Sequence, residues 1–260
     1  MFTSDAALRP AALVLSLAML VLASACAVDH EPSVLPPIDR SILDDPARPE
    51  EERAQDADRK ALEVYDWLGI RAGMVVADVF ASGGYNTHLL SRVVGERGKV
   101  HSVLEFYADP EAMEGRIYRL DDLKKRVQET SLDNVDILIH IGELPQESID
   151  AAVIVRNYHD VEWVFENLKR DEVVANIYRA LKPGGVIGVV DVATDGPGWQ
   201  DEVHRLNESL VIEDFARGGF ELVERSDMLS NPEDDHSTSG FEVGRHKMDR
   251  YLLKFRKPQA

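Results

Sequence analysis

Five polar or aromatic side chains in a row, Arg156-Asn157-Tyr158-His159-Asp160, follow the apolar run Ala152-Val153-Ile154-Val155. The run reads as a buried strand, so the five residues stand at its carboxyl end. Ligands of open α/β sheets bind at such ends. His159 has a side chain whose ordinary pKa lies near neutrality, which suits it to proton transfer. Asn157 can position a substrate, and Tyr158 is grouped with them as a candidate catalytic residue. A second reading makes Asp160 the cap of the helix that follows. Well upstream, Met74-Val75-Val76-Ala77-Asp78-Val79 is an apolar run interrupted by one acid. The turn Phe80-Ala81-Ser82-Gly83-Gly84-Tyr85 comes next. Glycines let backbone approach a ligand closely, and a following helix N-terminus attracts negative charge. Asp78, Ser82, Gly83, Gly84 and Tyr85 are therefore candidate cofactor-binding residues, with a ligand-free strand–helix turn as the alternative.

Two more acids stand at strand ends. Glu105 follows the run at Val100–Leu104, one residue beyond the strand-end position at which the family resembled below carries a ribose-binding acid. Leu104 occupies that position, and strand alternation makes the single step matter. Glu143 lies in Gly142-Glu143-Leu144 after the next strand, where an acid can meet a purine ring.

The elements that must position these residues alternate. A helix is expected from Glu50 to Leu68, with Ala54, Ala57, Ala61, Val64, Tyr65 and Leu68 at three- and four-residue steps. Strands are expected near 74–80, 99–104, 135–139, 151–155, 186–192, 221–226 and 251–255. Helices are expected near 85–94, 116–129, 161–181 and 202–217. The alternation implies a mostly parallel α/β sheet covered on both faces. The last two strands lack an intervening helix, which implies an antiparallel hairpin at the sheet edge. Leu181-Lys182-Pro183-Gly184-Gly185 ends a helix and launches the strand Val186–Val192, an architectural role.

The order of these motifs resembles the class I S-adenosylmethionine (SAM)-dependent methyltransferases, and in particular a bacterial family of signal-peptide-bearing predicted methyltransferases. The resemblance runs from about Asp44 to Pro258. It is carried by Asp45-Pro46-Ala47-Arg48-Pro49, Gly83-Gly84-Tyr85, the Arg156–Asp160 cluster, Leu181–Val190, Ala216-Arg217-Gly218-Gly219-Phe220 and Asp249–Pro258. It implies a Rossmann-like fold with a seven-stranded sheet, SAM held around Ser82–Tyr85, and the Asn157–His159 loop facing a small-molecule acceptor. Phe80 and Ser82 replace the first two glycines of that family's motif.

The N-terminus points elsewhere. Arg9 precedes the apolar stretch Ala11–Ala23, which is too short for a resident membrane helix. Ala23-Ser24-Ala25-Cys26 follows, the pattern of a secretory signal whose cysteine takes a lipid. Residues 1–25 thus read as a signal peptide and Cys26, the only cysteine, as a lipidation site. The Pro- and Asp-rich residues 26–49 read as a tether, and 50–260 as the folded domain. An exported, envelope-anchored location follows, which sits awkwardly with a cofactor made in the cytosol. The net charge of −18 disfavours nucleic acid as a partner. His236 and His246 lack a recognised metal spacing, and no metal is expected. Two other functions fit parts of the pattern: an envelope binding module that has kept the fold without catalysis, and a nicotinamide-dependent oxidoreductase. The Lys-Pro-Gly-Gly launch and the terminal hairpin argue against the oxidoreductase.

Overall fold

The computed structural model describes residues 36–105, 119–161, 168–239, 242 and 247–259. The signal segment with Cys26, the start of the expected tether, and His246 lie outside the described residues.

Seven strands form one sheet: β1 (Val75–Val79), β2 (Lys99–Val103), β3 (Val135–Leu138), β4 (Ile149–Val155), β5 (Leu181–Val192), β8 (Glu221–Ser226) and β9 (Arg250–Arg256), in the order β3-β2-β1-β4-β5-β9-β8. The first five are mutually parallel, and β9 is antiparallel to both β5 and β8. This is the expected sheet with its terminal hairpin. β6 (Trp199–Gln200) and β7 (Arg205–Leu206) make a separate short hairpin. The order turns back between β1 and β4, which places a crevice at their carboxyl ends.

Alternation along β1 sorts the core. Ala77 and Val79 face the side covered by α6 (Arg170–Ala180) and α7 (Glu208–Arg217). Val76 faces the side covered by α3 (Ala61–Leu68) and α4 (Tyr85–Val94). At Gly188 in β5 a Cβ would lie 2.5 Å from Leu68, so only glycine lets α3 close on the sheet there. α5 (Leu120–Glu129) buries Leu120 and Leu123 against Leu104.

Several expected boundaries move. The single helix expected over 50–68 is three pieces, α1 (Glu50–Arg53), α2 (Asp56–Arg59) and α3. Lys60, at φ 47°, is left-handed between the last two. The break aims Asp56 at the Arg48 guanidinium, 2.7 and 2.6 Å away, and at the Tyr85 hydroxyl, 2.7 Å away. Residues 36–49, before the helix, group with the sheet in one compact unit. Within the expected tether, the Arg48 side chain is fully buried and Asp45 bonds His88 and Arg92 at 2.9 and 3.0 Å. The helix expected from Glu202 starts at Glu208, because the Asn207 side chain accepts the Ser209 N–H as its cap. The preceding residues form the β6–β7 hairpin instead. Residues 162–167 of the expected helix 161–181 lie outside the described residues, and α6 covers Arg170–Ala180. β5 starts at Leu181, but Leu181 pairs with Ile149 and Val186 with Ala151, so Lys182–Gly185 bulge out of the ladder with Gly184 left-handed at φ 81° before the regular part of the strand, as the expected launching turn.

Candidate active site at the carboxyl ends of the strands

The β1–α4 turn keeps a glycine-type path without all of its glycines. Phe80, Ser82 and Gly84 have φ of 63°, 52° and 85°. Left-handed backbone at a non-glycine residue costs about 1–2 kcal/mol, and such strain gathers at ligand sites when surrounding structure enforces it. Enforcement is visible here. The Ala81 N–H donates to the Val103 carbonyl at 2.9 Å, and the Arg126 Nε–H to the Gly83 carbonyl at 2.7 Å. Arg126 is itself held by Glu52. At Gly84 a Cβ would lie 2.7 Å from Leu123, so α5 closes tightly behind the turn. At Gly83 the nearest atom to a Cβ is the Arg119 guanidinium, 4.0 Å away. Among the described residues the turn is thus packed tightly at Gly84 and more loosely at Gly83.

Asp78 supports this turn from below. It is buried and accepts the Thr87 hydroxyl at 2.6 Å, and Thr87 in turn meets Ser102 at 2.7 Å. Burial pushes its carboxyl up to about 7, against the hydrogen bonds from Thr87. Asp78 therefore joins β1 to α4 rather than facing the crevice. Tyr85 is likewise an anchor. Its hydroxyl donates to Asp56, and the Arg59 guanidinium lies 4.1 Å from its ring centroid.

At the end of β2, Leu104 is fully buried and Glu105 turns left-handed, φ 47°. The turn carries Glu105 over the sheet end, where one carboxylate oxygen accepts the Ile141 N–H at 2.5 Å and the other lies 3.5 Å from His140 Nδ1. Glu143 accepts the His140 N–H at 2.9 Å and is exposed. The two glutamates thus share one corner, after β2 and β3.

At the end of β4 the candidates separate. Asn157 Nδ2 donates to the Phe80 carbonyl at 3.2 Å and to the Val155 carbonyl at 3.0 Å, so it joins this loop to the β1–α4 turn. Tyr158 is a correction. It is fully buried, its hydroxyl donates to Asp214 at 3.0 Å, and its ring packs on Phe215. The half-turn Tyr158–Asp160 points it into the α6–α7 core, away from the crevice. His159 is buried at the site, with Nδ1 2.5 Å from Asp191 Oδ1. The other Asp191 oxygen accepts the His159 backbone N–H at 2.9 Å. Burial opposes charge on the imidazole, but Asp191 and then Asp160 outweigh it and raise the pKa above the ordinary value.

Three further groups were not visible from spacing. Asp191 ends the β5 run. Trp199 stacks on His159 with ring centroids 6.0 Å apart, and His204 packs edge-on to both rings at 4.7 and 4.9 Å. A separate small pocket between α3 and α4, about 20 Å³ and so with room for about one water, is lined by Arg59, Tyr65, Asn86, Arg156 and Arg250 with aliphatic side chains; His159, Asp191, Trp199 and His204 do not line it. Arg250 Nε is buried there without a hydrogen-bond partner. An acid in an apolar strand was the one legible signal, at Asp191.

Solved structures of the same architecture are numerous. A SAM-dependent methyltransferase from Aquifex aeolicus is 16% identical over 85% of this chain and 99% of its own, with a TM-score of 0.57. The fold is that of the class I SAM-dependent methyltransferases. Geranyl diphosphate C-methyltransferase from Streptomyces coelicolor A3(2), solved with Mg²⁺, geranyl diphosphate and S-adenosylhomocysteine, is 16% identical over 85% of this chain and 89% of its own, TM-score 0.58. The cyclase SpnF is 20% identical over 79% and 82%, TM-score 0.58, so the fold by itself does not determine the reaction. No protein-family model matches the chain, and no curated protein matches its sequence.

Proposed function

We propose that the protein transfers a methyl group from SAM to a small-molecule acceptor. The observation that carries this is the β1–α4 turn: Phe80, Ser82 and Gly84 hold the left-handed path at the switch point of a methyltransferase-type sheet. The surrounding groups suit the cofactor. Glu105 and Glu143 offer acceptors for ribose hydroxyls and the adenine amine. Among the described residues Gly83 is less crowded than Gly84, its nearest neighbour being the Arg119 guanidinium at 4.0 Å. When bound, SAM supplies an electrophilic methyl, and its sulfur keeps the bonding pair as the acceptor attacks. The chain's own work is to align the two reactants and keep water away. Asn157 ties the acceptor-side loop to the cofactor-side turn, and His159, fixed by Asp191, borders the acceptor.

The reading also carries export and lipid attachment at Cys26, with residues 1–25 removed. The motive is Arg9, the apolar stretch Ala11–Ala23 and the small residues before Cys26. Mass spectrometry of the membrane fraction tests it: a diacylglyceryl-modified N-terminal Cys26 supports it, and an intact Met1 contradicts it. Membership of the signal-peptide-bearing methyltransferase family belongs to the same proposal.

Calorimetric titration with S-adenosylhomocysteine tests the cofactor. Micromolar binding that is lost in Gly84→Val and weakened in Glu105→Ala supports the site. Folded protein that takes up neither S-adenosylhomocysteine nor SAM refutes it.

A further inference from the structure

We propose that His159, Asp160 and His204 together bind a divalent transition-metal ion of the zinc type. One ligand atom from each lies within 4.8 Å of the others. Asp160 Oδ2 is 3.7 Å from His159 Nε2, and Asp160 Oδ1 is 3.3 Å from His204 Nε2. Ligand atoms at about 2.0–2.1 Å from a tetrahedral zinc are about 3.3 Å from each other. Each imidazole has an Asp160 oxygen near this value, Oδ2 for His159 and Oδ1 for His204, so Asp160 would bind through both oxygens. The third pair closes by at most about 1.5 Å, which a small rotation of the partly exposed His204 supplies.

The surroundings are those of a ligand set rather than of packed imidazoles. A metal-binding histidine almost always gives its second ring nitrogen to a carboxylate or carbonyl, which fixes the tautomer and aims the first nitrogen. His159 does this: Nδ1 lies 2.5 Å from Asp191 Oδ1, and Nε2 faces Asp160. Asp191 is itself immobile, fully buried and accepting the backbone N–H of His159 and of Val192, each at 2.9 Å.

The backbone that carries His204 is fixed, while its side chain can turn. The residue is left-handed, φ 54°, in the turn between β6 and β7. The next residue, Arg205, is fully buried. It donates to both Asp234 oxygens at 2.8 and 2.9 Å and to the Ala193 and Thr238 carbonyls. That network fixes the hairpin against the end of β5. Trp199, on the other arm, covers His159.

Charge and opening complete the case. Asp160 and Asp191 both face His159, so the local balance favours a cation. Side-chain exposure is 8% for His159, 14% for Asp160 and 25% for His204. The cluster is sheltered but reachable, and three protein ligands leave a coordination position open. Two imidazoles and one carboxylate suit zinc, iron(II) or cobalt(II) better than magnesium or calcium. On the methyl-transfer reading, the open position would take an oxygen of the acceptor. The ion's binding does not depend on that reading.

The test uses the purified full chain, stripped with chelator and titrated with zinc chloride in a calorimeter. Cobalt(II) is then added, and its visible spectrum reports the ligand field. One zinc per chain is expected, with tetrahedral or five-coordinate cobalt bands. His204→Ala removes a ligand on a surface turn and is expected to weaken zinc by at least about 100-fold. Asp191→Asn keeps the shape and is expected to cost roughly 10–100-fold. His236→Ala, outside the cluster, leaves uptake unchanged. Less than stoichiometric uptake overturns the proposal. So does a His204→Ala protein of native circular dichroism that binds zinc as the wild type does. Neither readout involves SAM, so failure here is distinct from failure of the methyltransferase reading.

Discussion

The buried Asp78 makes the stability of the domain depend on pH in a direction opposite to that of a paired surface carboxylate. Its carboxyl is raised from 3.8 to about 7 by burial. Below pH 3.8 both folded and unfolded chains carry the proton, and Asp78 contributes nothing. Between 3.8 and about 7 the unfolded chain loses it while the folded chain keeps it, so stability falls as pH rises. Above about 7 both are ionised and the loss is complete. At about 1.4 kcal/mol for each tenfold in proton affinity, the loss is about 4 kcal/mol. Asp78→Asn keeps the shape and an acceptor for Thr87 but cannot ionise. Urea unfolding of both proteins between pH 4 and 8 isolates the effect from the general repulsion of an acidic chain. The variant is expected to gain on the wild type as pH rises, by several kcal/mol in all, and to level off near pH 7. A wild-type-minus-variant difference that is flat with pH would refute the assignment of a protonated Asp78 beneath the turn.

Other expectations follow from the same contacts. Ser82→Gly relieves a left-handed residue at φ 52° and should raise stability by about 1 kcal/mol, seen as a higher urea midpoint with S-adenosylhomocysteine affinity retained. Tyr158→Phe strips a buried hydroxyl from Asp214, which keeps Arg170 and Arg217. It should cost about 1–2 kcal/mol in denaturation while leaving cofactor titration unchanged, in keeping with a core role. Arg205→Met leaves Asp234 without its buried partner and should cost about 3–5 kcal/mol, measured by thermal unfolding.

Much of the sheet was legible because β1, β4 and β5 carry aliphatic runs, as at Ala151–Val155 and Val186–Val190. Tyr85–Val94 was legible to the residue, since Gly84 and Gly95 bound it. The N-terminal helix was not. Its apolar spacing is continuous, and the left-handed break at Lys60 accompanies the contacts of Asp56 with Arg48 and, 29 residues on, with Tyr85. The site divides the same way. Gly83-Gly84 marked the turn, but the left-handed state of Phe80 and Ser82 is imposed by Val103 and Arg126 and leaves no trace in residue type. Glu105 could be placed at the end of β2 from the sequence, whereas its backbone turn decides that it reaches Ile141. In the cluster at 156–160 a half-turn sends Tyr158 inward and His159 toward Asp191, which spacing does not show. His204 was hidden because its stretch fits a helix pattern, and only Asn207 as a cap and Arg205 as a buried charge convert it to a hairpin.

Photolabelling with methyl-tritiated SAM, followed by peptide mapping, tests the central claim most directly. The account predicts label that S-adenosylhomocysteine competes away, on peptides containing Phe80–Tyr85 or Glu105. Absence of competed label on folded protein, or label confined to peptides outside the strand ends, would contradict it.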